Sequence, residues 1–125
     1  MTLRELYQAI DGDYDQAISV LRLEKLIDKH IRKLPENGVM EGLLAAGQSM
    51  DPTQLFDAAH AMKGVCANLG LKRLVEAVSE ITEEFRPGNT RKLSDEDVNE
   101  RIEAIRRMYD NTTGKIRQYA ESCNT

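Results

Sequence analysis

Residues 51–70 read DPTQLFDAAHAMKGVCANLG, and this stretch decides the fold. Ser49-Met50-Asp51-Pro52 is a helix start: Asp51 is the N-cap, and Pro52 takes the first helical position, where a missing N–H costs nothing. Leu55, Ala59, Met62, Cys66 and Leu69 then recur at spacings of 4, 3, 4 and 3, which is the seam of a helix packed in a bundle. Gly70 is placed to end that helix in a left-handed conformation.

At 100° per residue the opposite face carries Thr53, Phe56, His60, Gly64 and Ala67, with Lys63 at its flank. His60 points about 120° from the seam centre and Gly64 about 180°. A solvated helix face is usually rich in Glu, Lys, Gln and Arg. This one is small and partly apolar around a single histidine, a face built to be touched. A glycine inside a helix costs about 1 kcal/mol relative to alanine. Because Gly64 lies opposite the packing seam, close helix packing does not account for it, whereas clearance around His60 does. Lys63, on the next turn, can place its ammonium beside anything bound to the imidazole.

Further seams lie on both sides. Leu71, Leu74, Val78, Ile81 and Phe85 form one, stopped by Arg86-Pro87-Gly88-Asn89. Ser94-Asp95-Glu96-Asp97 caps a long helix whose seam runs Val98, Ile102, Ile105, Tyr109, Thr112, Ile116 and Tyr119. Upstream, a helix is predicted from about Glu36 to Gln48 with Val39, Met40, Leu43, Leu44 and Gly47 inward. Before it, Leu26, Ile27, Ile31 and Leu34 mark a helix ending at Pro35. Two short helices come first: Leu3, Leu6 and Ile10 on one, Ala17, Ile18 and Leu21 on the next. Asp11-Gly12-Asp13 separates them, with Asp13 as N-cap. Nothing reads as a strand. The expected architecture is all-α: an antiparallel up-down four-helix bundle whose one end is covered by short N-terminal helices. Residues 1–34 are the helical extension and 35–125 the bundle, one structural domain overall.

Composition narrows the function. A chain of 125 residues suits one domain, and 17 Lys+Arg against 21 Asp+Glu, net −4, argues against a general nucleic-acid binder. No apolar run approaches the roughly 18 residues of a membrane span, and MTLRELYQAI lacks the apolar core of a signal peptide. The two cysteines, Cys66 and Cys123, have no metal-ligand spacing, so a disulfide framework, a zinc site or a redox role is not expected. A reduced, cytoplasmic setting follows.

The run Ala59-His60-Ala61-Met62-Lys63-Gly64-Val65-Cys66-Ala67-Asn68-Leu69-Gly70 resembles the signature of histidine phosphotransfer (HPt) domains, His-x-x-Lys-Gly with a glycine six positions later. The resemblance covers roughly Val39 to Tyr119. It implies a phosphoryl carrier in a multistep two-component phosphorelay, a substrate of its partners more than an enzyme. His60 would be the phosphoacceptor, through Nε2, Lys63 the phosphate-side cation and Gly64 the clearance position. The partners implied are a response-regulator receiver domain, whose aspartate gives or takes the phosphoryl group, and a histidine kinase or hybrid kinase. Docking would use Phe56, Asp57 and Ala67 around His60, together with the Glu36–Gln48 helix. Mg²⁺ and the acidic pocket would belong to the receiver: Asp57 is a single carboxylate, so this chain would carry no cofactor or metal of its own. A monomer is expected, without membrane or nucleic acid. An exposed imidazole, with a pKa of about 6.5, is largely a neutral nucleophile at cytosolic pH.

A different class of function is an adaptor with the same fold and no relay, but a scaffold has no use for the glycine. A metal-binding bundle enzyme would need inward Glu-x-x-His pairs; residues 57 and 27, three before the histidines, are Asp and Ile. His30 has Lys33 three residues on but Leu34 where a glycine would follow, and reads as a partly covered structural histidine. Cys66 reads as buried filler, Asp95-Glu96-Asp97 as capping, Glu80, Glu83 and Glu84 as a solvated face, and Tyr7 and Tyr14 as packing. Phe56 fits both the bundle edge and the docking patch.

Overall fold

The computed structural model describes residues 1–123 and contains seven α-helices and one 3-10 turn among them, with no strand. In chain order these are α1 (Leu3–Ala9), α2 (Tyr14–Leu21), α3 (Glu24–Lys33), the 3-10 turn Leu34–Glu36, α4 (Val39–Ser49), α5 (Pro52–Asn68), α6 (Lys72–Glu84) and α7 (Asp95–Cys123). Helix α5 packs on α4 and α6, and α7 packs on both of those, so the four close around one core. The predicted seams fill it: Leu55, Ala59, Met62, Cys66 and Leu69 of the α5 segment, Leu71, Leu74, Val78, Ile81 and Phe85 along α6, and the α7 seam from Val98 to Tyr119 are all buried. Burial pushes the Cys66 thiol up to about 12, which leaves it un-ionised and inert. The starts of α5 and α7 are as read. The Asp51 carboxylate accepts the Gln54 N–H at 3.0 Å, and Ser94 and Asp97 cap α7 reciprocally.

Helix α4 starts at Val39, not Glu36. Helix α3 ends at Lys33, just ahead of Pro35 as read; Pro35 then sits inside the 3-10 turn, and the break before α4 comes at Gly38, whose φ of 86° no helical residue shares. Inside α4, Val39 and Leu44 are only half-buried, and Ala46 takes an inward position. Gly47 is inward as expected. A Cβ there would lie 2.9 Å from Cδ1 of Ile102, so the glycine lets α4 approach α7.

Two other expectations need correction. His30 is exposed, not covered: Ile27, Ile31 and Leu34 take the buried side, leaving the imidazole at the rim of a cleft shared with Lys33, Asn37 and Asn68. The glutamates of α6 are not simply solvated. Glu84 is half-buried and accepts the N–H groups of Lys92 and Leu93 at 2.7 and 2.6 Å, tying the α6–α7 connection down. Glu80 pairs with Arg101 and Glu83 with Arg86.

The N-terminal helices cover one end, where α5 turns into α6 and α7 runs to its C-terminus. The Tyr7 hydroxyl donates to the Leu69 carbonyl at 2.7 Å, and the Asp13 N–H donates to the Gly70 carbonyl at 2.7 Å. Tyr7 therefore does more than pack, although its ring also meets Tyr14 edge-on at 5.6 Å. Tyr109 donates to the Leu34 carbonyl at 2.7 Å, and Tyr119 to the Asp28 carboxylate, which also accepts from Arg32.

Gly70 concentrates the demands of this end. Its φ is +68°, as the spacing predicts, and a Cβ on it would lie 2.2 Å from the Asp13 carbonyl oxygen. Left-handed backbone costs a side chain about 1–2 kcal/mol before any clash. Gly70→Ala is expected to lose about 2 kcal/mol or more of unfolding free energy, read from urea denaturation; an unchanged midpoint would mean that α2 docks elsewhere.

Candidate functional site

The face of α5 opposite its seam is open to solvent. Thr53, Asp57, His60 and Gly64 are exposed, and Phe56, Lys63 and Ala67 are half-buried at its edges. This follows from helical period alone: with Ala59 and Met62 fully buried, His60 between them must point out.

His60 is not isolated. Its ring stacks on that of Phe56, one turn earlier, with centroids 5.5 Å apart and planes 11° from parallel. Helical side chains lean toward the helix N-terminus, which lays the imidazole over the turn carrying Phe56. The Phe56 ring also lies against the Arg86 guanidinium, 5.4 Å from its centroid and within cation–π range. Arg86 is held in turn by Glu83, with Nε 3.1 Å from Oε2 and Nη2 2.8 Å from Oε1. Phe56 thus packs at the bundle edge, as one of its two readings has it, and also stacks on the histidine. Among the described residues neither nitrogen of His60 has a hydrogen-bond partner.

On the next turn after His60, the position that a Gly64 side chain would take is open among the described residues. A Cβ on Gly64 would meet nothing within 4 Å. A longer side chain there would lean back over the turn that carries His60. Packing does not explain this glycine.

Lys63 flanks the same turn and is close enough to Glu83 for its charge to be felt. The Arg86 hydrogen bond, helped by the charges of Arg86 and Lys63, holds the Glu83 carboxyl below the usual range. Ala67 lies further along, at the rim of a cleft bordered by Asp13 and Gln16 of the α2 segment and Lys72 and Val75 of α6. Asp57 is exposed beside Phe56 and takes no part in the stack. Phe56, His60, Lys63 and Gly64 therefore share one patch, with Ala67 at its far margin. Sequence reasoning missed Glu83 and Arg86. Their spacing of three just ahead of Pro87 signals a local ion pair, but nothing local reports that the pair reaches Phe56 on α5.

Among the described residues, no three His, Cys, Asp or Glu side chains lie close enough together to hold a metal ion. Among the described residues no helix is long and apolar enough to cross a membrane. In comparison with known families, residues 2–114 match the Hpt domain, so the match takes in α1–α3 as well as most of the bundle. No curated protein and no solved structure matches the chain.

The empty space at Gly64 carries a prediction about stability. Gly64→Ala removes the backbone entropy cost without a clash and is expected to stabilise the fold by about 0.5–1 kcal/mol. Thermal unfolding should show a rise of a few degrees in Tm. A fall in Tm would give Gly64 a packing role.

Proposed function

The chain belongs to the Hpt domain family, whose members carry phosphoryl groups in phosphorelays and are not themselves catalysts; on that premise we propose that His60 accepts and donates the phosphoryl group. The observation that carries this reading is the setting of His60 on α5, exposed, with unpartnered ring nitrogens and open space on the Gly64 side. A ring nitrogen, Nε2 in the family, attacks the phosphorus of a receiver's aspartyl phosphate with its in-plane lone pair. The N–P bond forms, the P–O bond to the aspartate breaks, and the carboxylate leaves; the reverse step returns the group. Lys63 offsets the charge of the phosphoryl group, and Gly64 gives the receiver's active site room to approach. Phe56, Asp57 and Ala67, with α4, form the docking face. Mg²⁺ is supplied by the receiver and not by this chain.

The remaining parts of the reading concern the whole molecule. The four helices α4–α7 form an antiparallel up-down bundle, with residues 1–34 as an extension packed on it. The two-residue link from α4 to α5 and the three-residue link from α5 to α6 support this, because connections so short reverse the chain. The protein acts as a cytoplasmic monomer between a histidine kinase or hybrid kinase and a receiver domain.

The direct test is transfer of labelled phosphate from a phosphorylated receiver. Wild type and His30→Gln should take up acid-labile, alkali-stable label, and His60→Gln should take up none. Label retained in His60→Gln sinks the proposal; loss confined to His30→Gln moves the site to α3. Lys63→Ala is a separate check. An exposed pair is worth about 0.2–1 kcal/mol, so transfer should slow by no more than about fivefold, with faster loss of phosphohistidine. Complete loss in a folded variant would make the lysine indispensable.

A further inference from the structure

We infer that Phe56 and Arg86 position the His60 imidazole for transfer, an inference that rests on His60 being the phosphoacceptor. An exposed histidine turns about two side-chain torsions, and a ring nitrogen's lone pair lies in the ring plane. Whatever fixes the plane therefore fixes the direction of attack. The Phe56 ring does this from one side, 11° from parallel at 5.5 Å, an offset stack that covers a face of the imidazole and leaves its edge bare. Both ring nitrogens lie on that edge.

The support is built in depth. Phe56 is half-buried, so it does not swing freely. The Arg86 guanidinium lies against its ring at 5.4 Å and is itself fixed by hydrogen bonds to both Glu83 oxygens. Glu83 belongs to α6, whose seam is buried against α5. The contacts thus run from Glu83, on the exposed side of α6, through Arg86 and Phe56 to the imidazole. Gly64 leaves the opposite side clear. The histidine has one face supported and its edge open to a partner, which a docking patch alone would not require.

Positioning and docking separate experimentally. A docking residue contributes contact area and changes receiver affinity. A positioning residue changes the transfer rate once the receiver is saturating, because small misplacements are costly in a directed transfer. Three variants, Phe56→Leu, Phe56→Tyr and Arg86→Gln, are compared with wild type for transfer rate at saturating phosphorylated receiver and for Kd of the unphosphorylated receiver. Circular dichroism confirms that each is folded. Phe56→Leu should lower the saturated rate by about three- to tenfold, given what one aromatic pair is worth, over and above any rise in Kd from its place in the docking face. Phe56→Tyr keeps the stack and should restore the rate. Arg86→Gln should slow it by about two- to threefold, since it acts only through the ring. A raised Kd with an unchanged saturated rate would overturn the inference in favour of docking, as would a Tyr variant as slow as the Leu variant.

Proton NMR of the free protein reads the geometry without any transfer. The His60 ring protons should be displaced by the Phe56 ring current in wild type and should relax toward free-histidine positions in Phe56→Leu. Identical shifts in the two would remove the stack and the inference with it. If wild type takes up no label, the phosphorelay reading fails and positioning falls with it, even where the ring shifts report the stack. If wild type transfers and both Phe56→Leu and Arg86→Gln match it, positioning alone falls.

Discussion

Burying one stripe of α5 sets everything else about this molecule. Leu55, Ala59, Met62 and Cys66 have no exposed surface at all, and large apolar side chains buried this way contribute about 1.5–3 kcal/mol each. Turning the helix by one residue would swing that stripe through 100° and expose it, so the helix cannot rotate. The residues on its far side are therefore held at constant angles to the core. His60 follows Ala59 directly and inherits its orientation from a residue that touches only protein. A site carried on a packed helix is held more tightly than one carried on a loop, which on the proposed reading suits a histidine that meets a partner's active site in one geometry.

Glycine shows how one residue type serves three physical ends here. Gly47 faces the core, where the missing Cβ lets α4 close on Ile102 of α7. Gly70 adopts positive φ and leaves room for the Asp13 carbonyl, joining the α5–α6 turn to the N-terminal helices. Gly64 has neither a neighbour to accommodate nor a backbone angle to satisfy. Gly42 and Gly114 have equally open surroundings, but Gly64 alone of the three stands one turn from the exposed histidine on α5.

What was legible in the sequence was what repeats locally. The seams of α5, α6 and α7 lie at helical spacing and are buried as that spacing requires. The caps at Asp51 and Ser94 and the positive φ at Gly70 follow from short signals of the same kind. The misreadings involve competition between neighbours or contacts across the fold. Glu36 reads as a helix start after Pro35, yet proline is compatible with the first positions of a helical turn, so Leu34–Glu36 forms a 3-10 turn and Gly38 delays α4 to Val39. His30 looked covered because apolar residues flank it, but burial of Ile27 and Ile31 directs it outward. The Tyr7 hydroxyl meets a carbonyl 62 residues away, and Glu84 meets amides in the following loop; no periodicity reports either contact. At the site, His60, Lys63 and Gly64 were legible because one helical turn holds them. The supporting pair Glu83 and Arg86 comes from the end of another helix, α6, and the turn that follows it.

That second helix also changes the electrostatic picture around the histidine. Lys63 and Arg86 are two cations sharing the neighbourhood of one carboxylate, Glu83. Arg86 meets both oxygens of that carboxylate through Nε and Nη2, and its guanidinium carbon lies 5.4 Å from the Phe56 ring centroid. Lys63 feels Glu83 as a charge but is not bonded to it, and its ammonium keeps its donors for other acceptors. On the proposed reading the two cations therefore divide the work: Arg86 sets the plane of the ring and Lys63 meets the charge placed on it. A guanidinium suits the first task because it is planar and stacks on aromatic faces; an ammonium on a flexible stem suits the second because it follows a phosphoryl group as it arrives and leaves. Exchanging Arg86 for lysine would keep the charge and lose the plane, so the distinction between the two positions is one of shape before it is one of charge.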